Sequence, residues 1–264
     1  MKLIPGLVLA LLVLLSGCAA QPQAVSDSPE ARATREEDPR ARIHTELGAG
    51  YFARGQHAVA FQELRAALQA NPNYAPAFNM LGLVHGDLRE DKQADENFRR
   101  AIALSPNYSE AHNNYGLFLC QRGRADEALA RFETALSNPL YATPEKALAN
   151  AGVCAMAKGD LAKAETYFAR ALKRAPNQPT AQQGMAEVHS RNGRWLAARS
   201  LLRQLGQAGE LNAQALWLGV RVERQAGDRE AEASYATQLR RRFPDAIQTQ
   251  WLITGQYDQA GSLL

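Results

Sequence analysis

Apolar and small residues recur along the chain in a frame that repeats every 34 residues and is best seen between residues 75 and 108. Within each frame they fall three or four positions apart, which is the spacing of one face of an amphipathic helix. The recurring positions in this stretch are Phe78, Leu81, Gly82, His85, Ala94, Phe98, Ala101 and Pro106. The same frame occurs in the stretch before it and in the stretch after it. The pattern predicts a series of similar units, each built from two helices.

The frame places small residues where helices must approach one another and an aromatic residue between them. Gly82 has no side chain, so the second helix of the unit can come close to the backbone of the first. On the second helix, Phe98 fills the space between neighbouring helices, while Ala94 and Ala101 admit them. Pro106 cannot continue a helix and therefore ends the unit.

A 34-residue unit with these positions resembles the tetratricopeptide repeat, in which each helical hairpin buries its apolar face by stacking on its neighbours. The sequence thus predicts an all-α solenoid of about six helical hairpins over residues 41–245. The expected units are 41–74, 75–108, 109–142, a fourth from about 145, 179–212 and a weak sixth from about 213. Residues 246–264 resemble part of one more unit, or a tail.

Two connections depart from the regular frame. Gly55 and Gly123 mark the turns between the helices of the first and third units, whereas the second unit carries Arg89 at that position. The link between the third and fourth units is longer by two residues and contains Pro139 and Pro144. We expect an irregular connection there.

The N-terminus has the pattern of a lipoprotein signal peptide. An apolar run over residues 7–15 is too short to span a membrane and suits a signal-peptide core. It ends in Leu15, Ser16, Gly17 and Cys18, which matches the bacterial lipobox. We expect residues 1–17 to be the signal peptide and the Cys18 thiol to carry a covalent lipid, with no other cofactor. An ordinary signal peptide or an uncleaved anchor remains the alternative.

The residues after the cysteine suggest where the protein is held. An aspartate directly after the lipidated cysteine tends to retain a lipoprotein at the inner membrane. Ala19 at this position therefore favours sorting to the outer membrane of a Gram-negative host. Residues 18–40 contain almost no bulky apolar side chain, so they are expected to form a disordered tether. About twenty flexible residues have a typical reach of roughly 25 Å. The expected location is therefore the periplasmic face of the outer membrane.

In this repeat the first helices line the concave surface, and the residues expected to point into it form an apolar stripe. The apolar positions are Phe52, Leu83, Leu117, Val153 and Met156. Asn79 and Asn113 flank them with amide groups able to hydrogen-bond a peptide backbone. An exposed apolar stripe with a polar rim suits an amphipathic helix or extended segment of a protein partner. The alternative is that these side chains pack among themselves. In the sixth unit the corresponding positions change to Trp217, Arg221 and Arg224.

Composition and motifs argue against catalysis and nucleic-acid binding. The net charge of the 264 residues is +3, and the densest basic cluster, Arg240–Arg242, falls at the end of a predicted helix where it complements the helix dipole. The chain has no H-E-x-x-H or G-x-S-x-G motif, no phosphate-binding glycine loop and no C-x-x-C. We therefore expect no enzyme activity, no metal site and no small-molecule substrate.

The histidines and the two remaining cysteines are predicted to have structural roles. Four histidines fall on recurring positions of the frame and are expected to pack between helices: His44, His85, His112 and His189. Cys120 and Cys154 lie on the first helices of adjacent units, and a disulfide would suit an oxidising compartment. Their repeat positions, 12 and 10, face differently, which favours two free and mostly buried thiols.

Several segments that the repeat frame does not explain resemble the PilF/PilW family, the lipoproteins of type IV pilus biogenesis. Besides the lipobox, the similar segments are 113–119, 138–141, 174–179, 218–221 and 238–244. The resemblance implies a pilotin, which is an outer-membrane lipoprotein that binds the pilus secretin and assists its localisation and multimerisation. It also implies a partner surface on the early units. The main alternative keeps the anchor and solenoid but makes the protein an adaptor for cell-wall or envelope-assembly enzymes.

Overall fold

The computed structural model describes residues 38–259, and within this range all regular secondary structure is α-helical. The helices of the described range are α1 (Pro39–Phe52), α2 (His57–Ala70), α3 (Ala75–Asp87), α4 (Asp91–Leu104), α5 (Ser109–Gln121), α6 (Ala125–Ser137), α7 (Pro144–Ala157), α8 (Leu161–Arg174), α9 (Pro179–Arg191), α10 (Trp195–Gln207), α11 (Ala213–Ala226), α12 (Arg229–Arg242) and α13 (Ile247–Ile253). The predicted signal peptide, the lipidation residue Cys18 and most of the predicted tether lie outside the described residues. No helix between residues 38 and 259 combines the length and the apolar character needed to cross a bilayer.

The first described helix begins at Pro39, two residues before the predicted boundary at residue 41. The Asp38 side chain caps α1 by accepting a hydrogen bond of 2.9 Å from the backbone N–H of Arg40. Pro39 suits the first helical position because its missing N–H has no partner there in any helix. The sequence Asp38-Pro39 therefore sets the start of the first helix.

Consecutive helices pair into hairpins, and the hairpins stack. The six pairs are α1 with α2, α3 with α4, α5 with α6, α7 with α8, α9 with α10, and α11 with α12. The first helices of neighbouring hairpins also contact one another, from α1 with α3 through to α9 with α11. Helix α13 contacts α11 and α12, as the first helix of a further hairpin would. The predicted all-α solenoid is confirmed for the described residues.

The small and aromatic positions of the repeat frame pack as predicted. Ala94, Phe98 and Ala101 are completely buried. A Cβ placed on Gly82 would lie 2.7 Å from Cδ1 of Phe98, closer than side-chain carbons approach in real proteins. Hairpin three repeats the arrangement at Gly116. The glycine therefore allows the aromatic ring of the second helix to lie directly on the backbone of the first.

Glycine in the left-handed region of backbone conformation makes the turn in five of the six hairpins. These turn residues are Gly55, Gly123, Gly159, Gly193 and Gly227, with φ between 70° and 87°. The second hairpin has Arg89 at this position with φ of 62°, and Arg89 is the sole non-glycine residue with positive φ between residues 38 and 259. The turn has the same form with either residue type, although only glycine adopts it without steric cost.

A disulfide joins hairpins three and four, and the prediction of two free thiols was wrong. The Sγ atoms of Cys120 on α5 and Cys154 on α7 are bonded at 2.14 Å, and their Cα atoms are 5.8 Å apart. The error came from requiring both residues to point the same way. In a stack of hairpins, the side of a helix that faces the next hairpin contacts the opposite side of the helix that follows. Two residues that bridge neighbouring hairpins therefore occupy different repeat positions.

Candidate partner-binding groove

An open groove of about 570 Å³ lies on the first helices of hairpins one to three. It brings together Phe52 of α1, Leu83 of α3 and Leu117 of α5, three of the five apolar residues predicted to form the stripe. All three side chains are partly exposed. The remaining lining residues are Gly82, Gly86, Asp87, Arg89, Phe98, Asn114, Phe118, Gln121 and Arg122. The surface is therefore apolar at its centre and polar or charged at its edge.

Arg122 fixes one wall of the groove by joining the second and third hairpins. Its Nε donates to a carboxylate oxygen of Asp91 at 2.8 Å, and its terminal nitrogen donates to the carbonyl oxygen of Gly86 at 2.7 Å. The guanidinium also lies 4.9 Å from the centre of the Phe118 ring. The hydrogen bond from Arg122 is the largest cause of the lowered pKa of the Asp91 carboxyl. Because it is bonded to both Asp91 and Gly86, Arg122 holds this wall in place.

Asp87, at the same edge, is also paired within the protein. Its Oδ2 lies 2.7 Å from Nε2 of His57, on the second helix of the preceding hairpin. This contact joins the first and second hairpins, as Arg122 joins the second and third. The edge of the groove is thus built from side chains that tie the hairpins together.

Asn79 and Asn113 do not offer free amides to a partner, contrary to the prediction. Both are buried. Asn114 donates to the side-chain oxygen of Asn79 at 3.2 Å, and Asn150 donates to that of Asn113 at 3.0 Å. The amides therefore form a ladder across hairpins two, three and four, because a buried amide needs a partner. Asn114 is the one that reaches the groove, and sequence reasoning missed it although it adjoins a predicted residue.

Val153 and Met156 do not line the groove, and their predicted exposure was wrong. Their side chains are 3% and 7% exposed, and they belong to the main apolar core. They share this core with Met185 and Val188 of the next hairpin, so the stacking of hairpin five on hairpin four buries them. Phe168 lies between the two hairpins: a Cβ on Gly152 would lie 2.5 Å from its ring, and one on Gly184 would also overlap it.

At the sixth hairpin, the first-helix face is covered by the C-terminal segment of the chain itself. Trp217 Nε1 donates to the carbonyl oxygen of Gln259 at 2.7 Å. The ring of Tyr257 stacks on that of Trp217 with centroids 5.8 Å apart, and the Arg224 guanidinium lies 3.9 Å from the Tyr257 centroid. Trp217 and Arg224 are positions that the repeat frame assigns to the concave surface. The C-terminal segment therefore occupies part of this surface at the sixth hairpin.

A buried carboxylate between hairpins five and six is likewise satisfied within the chain. Glu187 is 2% exposed, and its carboxylate accepts hydrogen bonds from Arg191 at 2.7 Å and from Arg221 at 3.3 Å. Burying a charge is costly unless it is paired and hydrogen-bonded. These arginines therefore stabilise the junction of the two hairpins.

Several histidines form contacts between neighbouring structural elements. His44 Nδ1 lies 2.7 Å from the Glu63 carboxylate, and His112 Nε2 lies 2.9 Å from the carbonyl oxygen of Pro106. Burial lowers the pKa of His112 and of His189. Among residues 38–259, no group of three or more His, Cys, Asp or Glu side chains is arranged to hold a metal ion.

Comparison with known proteins places the chain among the tetratricopeptide-repeat proteins. Family models described as tetratricopeptide repeat match residues 75–108, 97–130, 119–179 and 155–217. The chain is also 32% identical over 245 residues to the type IV pilus assembly protein PilF of Pseudomonas aeruginosa. That match covers 93% of this chain and 96% of the relative.

Two solved structures of similar sequence share the fold. The structure of Pseudomonas aeruginosa PilF matches with a TM-score of 0.73 and 32% identity, over 84% of this chain and 99% of that one. The structure of PilW, described as a widely conserved type IV pilus biogenesis factor, matches with a TM-score of 0.72 and 30% identity, over 81% of this chain and 98% of that one. The chain therefore belongs to the PilF/PilW family of tetratricopeptide-repeat proteins of type IV pilus biogenesis.

Proposed function

We propose that the protein is a pilotin, a lipoprotein of the outer membrane that binds the type IV pilus secretin and assists its localisation and multimerisation. The observation that carries the proposal is the groove on hairpins one to three, where Phe52, Leu83 and Leu117 gather as a partly exposed apolar centre with a polar edge. The names of the similar proteins, a pilus assembly protein and a pilus biogenesis factor, direct the choice of partner.

The mechanism is binding and placement, with no chemical step. An apolar side chain of the secretin displaces water from the groove, and each square ångström of apolar surface removed from water contributes about 25 cal/mol. The walls are tied by hydrogen bonds between hairpins, so little conformational freedom is lost on binding. The lipid on Cys18 anchors the protein in the outer membrane, and the predicted tether lets the groove meet secretin subunits near the membrane.

The groove is tested by charge substitution in a deletion strain. Leu83→Glu combined with Leu117→Glu should abolish secretin multimers and twitching motility, because burying two carboxylates against an apolar partner is costly. Leu140→Glu is the matched control, since Leu140 is 88% exposed and lies outside the groove. All three proteins should have the same helical circular dichroism. Normal multimers with the double variant would overturn the proposed site.

The anchor and the choice of partner are tested separately. Metabolic labelling with a palmitate analogue should mark the wild type and be lost in Cys18→Ser; label that survives in the variant would overturn lipidation at this residue. If the deletion strain keeps normal secretin rings and normal motility, the pilotin role is wrong. In that event, an adaptor role for cell-wall or envelope-assembly enzymes becomes the better description.

A further inference from the structure

The backbone of Arg89 adopts a conformation that glycine adopts in the five other hairpin turns. Its N–H donates to the carbonyl oxygen of Gly86 at 3.2 Å, and the following N–H donates to that of His85 at 2.9 Å. The turn at Gly123 has the same two hydrogen bonds, at 3.0 and 2.9 Å. Glycine at position 89 would therefore make the same turn without the clash between Cβ and backbone that a left-handed conformation imposes.

The side chain of Arg89 lies at the edge of the groove and is exposed. Within residues 38–259, its guanidinium has neither a hydrogen bond nor an ion pair. The other charged groups of the groove edge are occupied, since Arg122 holds Asp91 and Asp87 contacts His57. Asp91 lies within range of the Arg89 charge, but its carboxylate already accepts a hydrogen bond from Arg122. Arg89 is thus a cation of the groove with its hydrogen-bond donors free.

Strained backbone conformations persist where the residue has a use that outweighs the strain, and they are concentrated at ligand-binding sites. A free guanidinium beside an apolar surface is suited to a carboxylate, which it can hold through two parallel hydrogen bonds. The retained strain therefore points to a use for the Arg89 side chain, and its free donors favour an acidic group in the bound segment.

We infer that Arg89 is a specificity-determining residue, and that the groove takes a peptide segment in which apolar side chains are accompanied by an aspartate or glutamate side chain. The apolar side chains lie against Phe52, Leu83 and Leu117, and the carboxylate pairs with Arg89. This inference rests on the proposed function and specifies the partner chemistry: the secretin segment that binds is apolar and acidic.

The test measures both stability and binding for three variants of the full chain. Arg89→Gly should raise the melting temperature by about 2–4 °C, because it relieves the turn. It should also raise the Kd for the bound peptide about 3- to 10-fold, because it removes the ion pair. Arg89→Gln, which removes the charge and keeps a long side chain, should weaken binding equally without the gain in melting temperature. Arg65→Gln, at an exposed arginine outside the groove, is the matched control and should change neither quantity.

The probe is a set of overlapping 15-residue peptides that tile the secretin of the same organism, with binding followed by fluorescence anisotropy. For the tightest peptide, replacing its acidic residue by the corresponding amide should weaken binding to the wild type and leave binding to Arg89→Gln unchanged. Such coupling is what a direct ion pair requires.

The outcomes separate this inference from the proposed function. If Arg89→Gly and Arg89→Gln bind the peptide as tightly as the wild type, while Leu83→Glu with Leu117→Glu abolishes binding, the groove stands and the role of Arg89 is overturned. If neither the peptides nor the detergent-solubilised secretin binds the wild type, the proposed function is overturned, and the inferred segment with it.

Discussion

Reducing the disulfide between Cys120 and Cys154 should destabilise the solenoid by about 2–4 kcal/mol. Reduction is a cleaner perturbation than substitution, because both cysteines are buried and reduction leaves all heavy atoms in place. The bond links α5 to α7 across the irregular connection between hairpins three and four. Neighbouring helices in this region contact one another without the bond, so the folded state should survive its loss.

The magnitude follows from the length of chain that the bond closes. The two cysteines are 34 residues apart, and closing a loop of that length removes conformational entropy from the unfolded chain. The loop-entropy relation gives about 3.8 kcal/mol at 25 °C, an upper value because unfolded chains retain some structure. This loss is large beside the total stability of roughly 5–15 kcal/mol that is typical of folded domains.

The assay is urea unfolding of the oxidised and reduced protein, followed by two signals. Circular dichroism reports all the helices, whereas tryptophan fluorescence reports the C-terminal half, since all three tryptophans lie at residue 195 or beyond. Reduction should shift both transitions to lower urea, since the bond joins the two halves. The Cys120→Ala, Cys154→Ala double variant should not respond to the reductant. If the reduced protein unfolds at the same urea concentration as the oxidised protein, the loop-entropy reasoning is refuted.

Two further predictions concern packing and pH. Gly82→Ala should destabilise the protein by about 1–3 kcal/mol in thermal melts, because the added Cβ would lie 2.7 Å from a buried ring; Gly50→Ala, which has space for a methyl group, should stabilise it by about 0.5–1 kcal/mol. His112→Gln should keep the hydrogen bond to Pro106, as Gln182 does to Pro176. Burial lowers the folded-state pKa of His112, so the unfolded chain takes up a proton first and stability falls as pH drops below about 6.5. Between pH 7.5 and 5, urea melts of His112→Gln should show a smaller fall in the free energy of unfolding than those of the wild type. An equal fall in the two proteins would contradict this assignment.

The hairpins were predictable because their requirements are local. A ring such as Phe98 needs a glycine on the facing helix, and a helix must end near a proline such as Pro106, so both signals repeat with the chain. The groove was predictable as far as each residue lies on a first helix, which is why Phe52, Leu83 and Leu117 were found. Arg89 was recognised as an exception to the glycine frame, but its free side chain was visible only in the structure.

The other features depend on how closely neighbouring hairpins approach, which no single position encodes. Val153 is buried because residues of the next hairpin pack in the same core, and the pairing of Cys120 with Cys154 depends on which sides of two helices face each other. The contact of Tyr257 with Trp217 joins residues far apart in sequence and requires α13 to be in place. A repeat position specifies the direction of a side chain within its own hairpin. It does not specify which residues of the next hairpin contact that side chain.

The first-helix face therefore differs along the chain. Hairpins one to three leave an apolar groove, the fourth and fifth close around Phe168, and the C-terminal segment covers Trp217 on the sixth. The groove lies on the N-terminal hairpins, which follow the predicted tether in the sequence. If Cys18 carries the proposed lipid, the groove is on the part of the solenoid that is nearest to the anchor along the chain. A partner that assembles in the same membrane would then meet the groove first, so its position fits the proposed task.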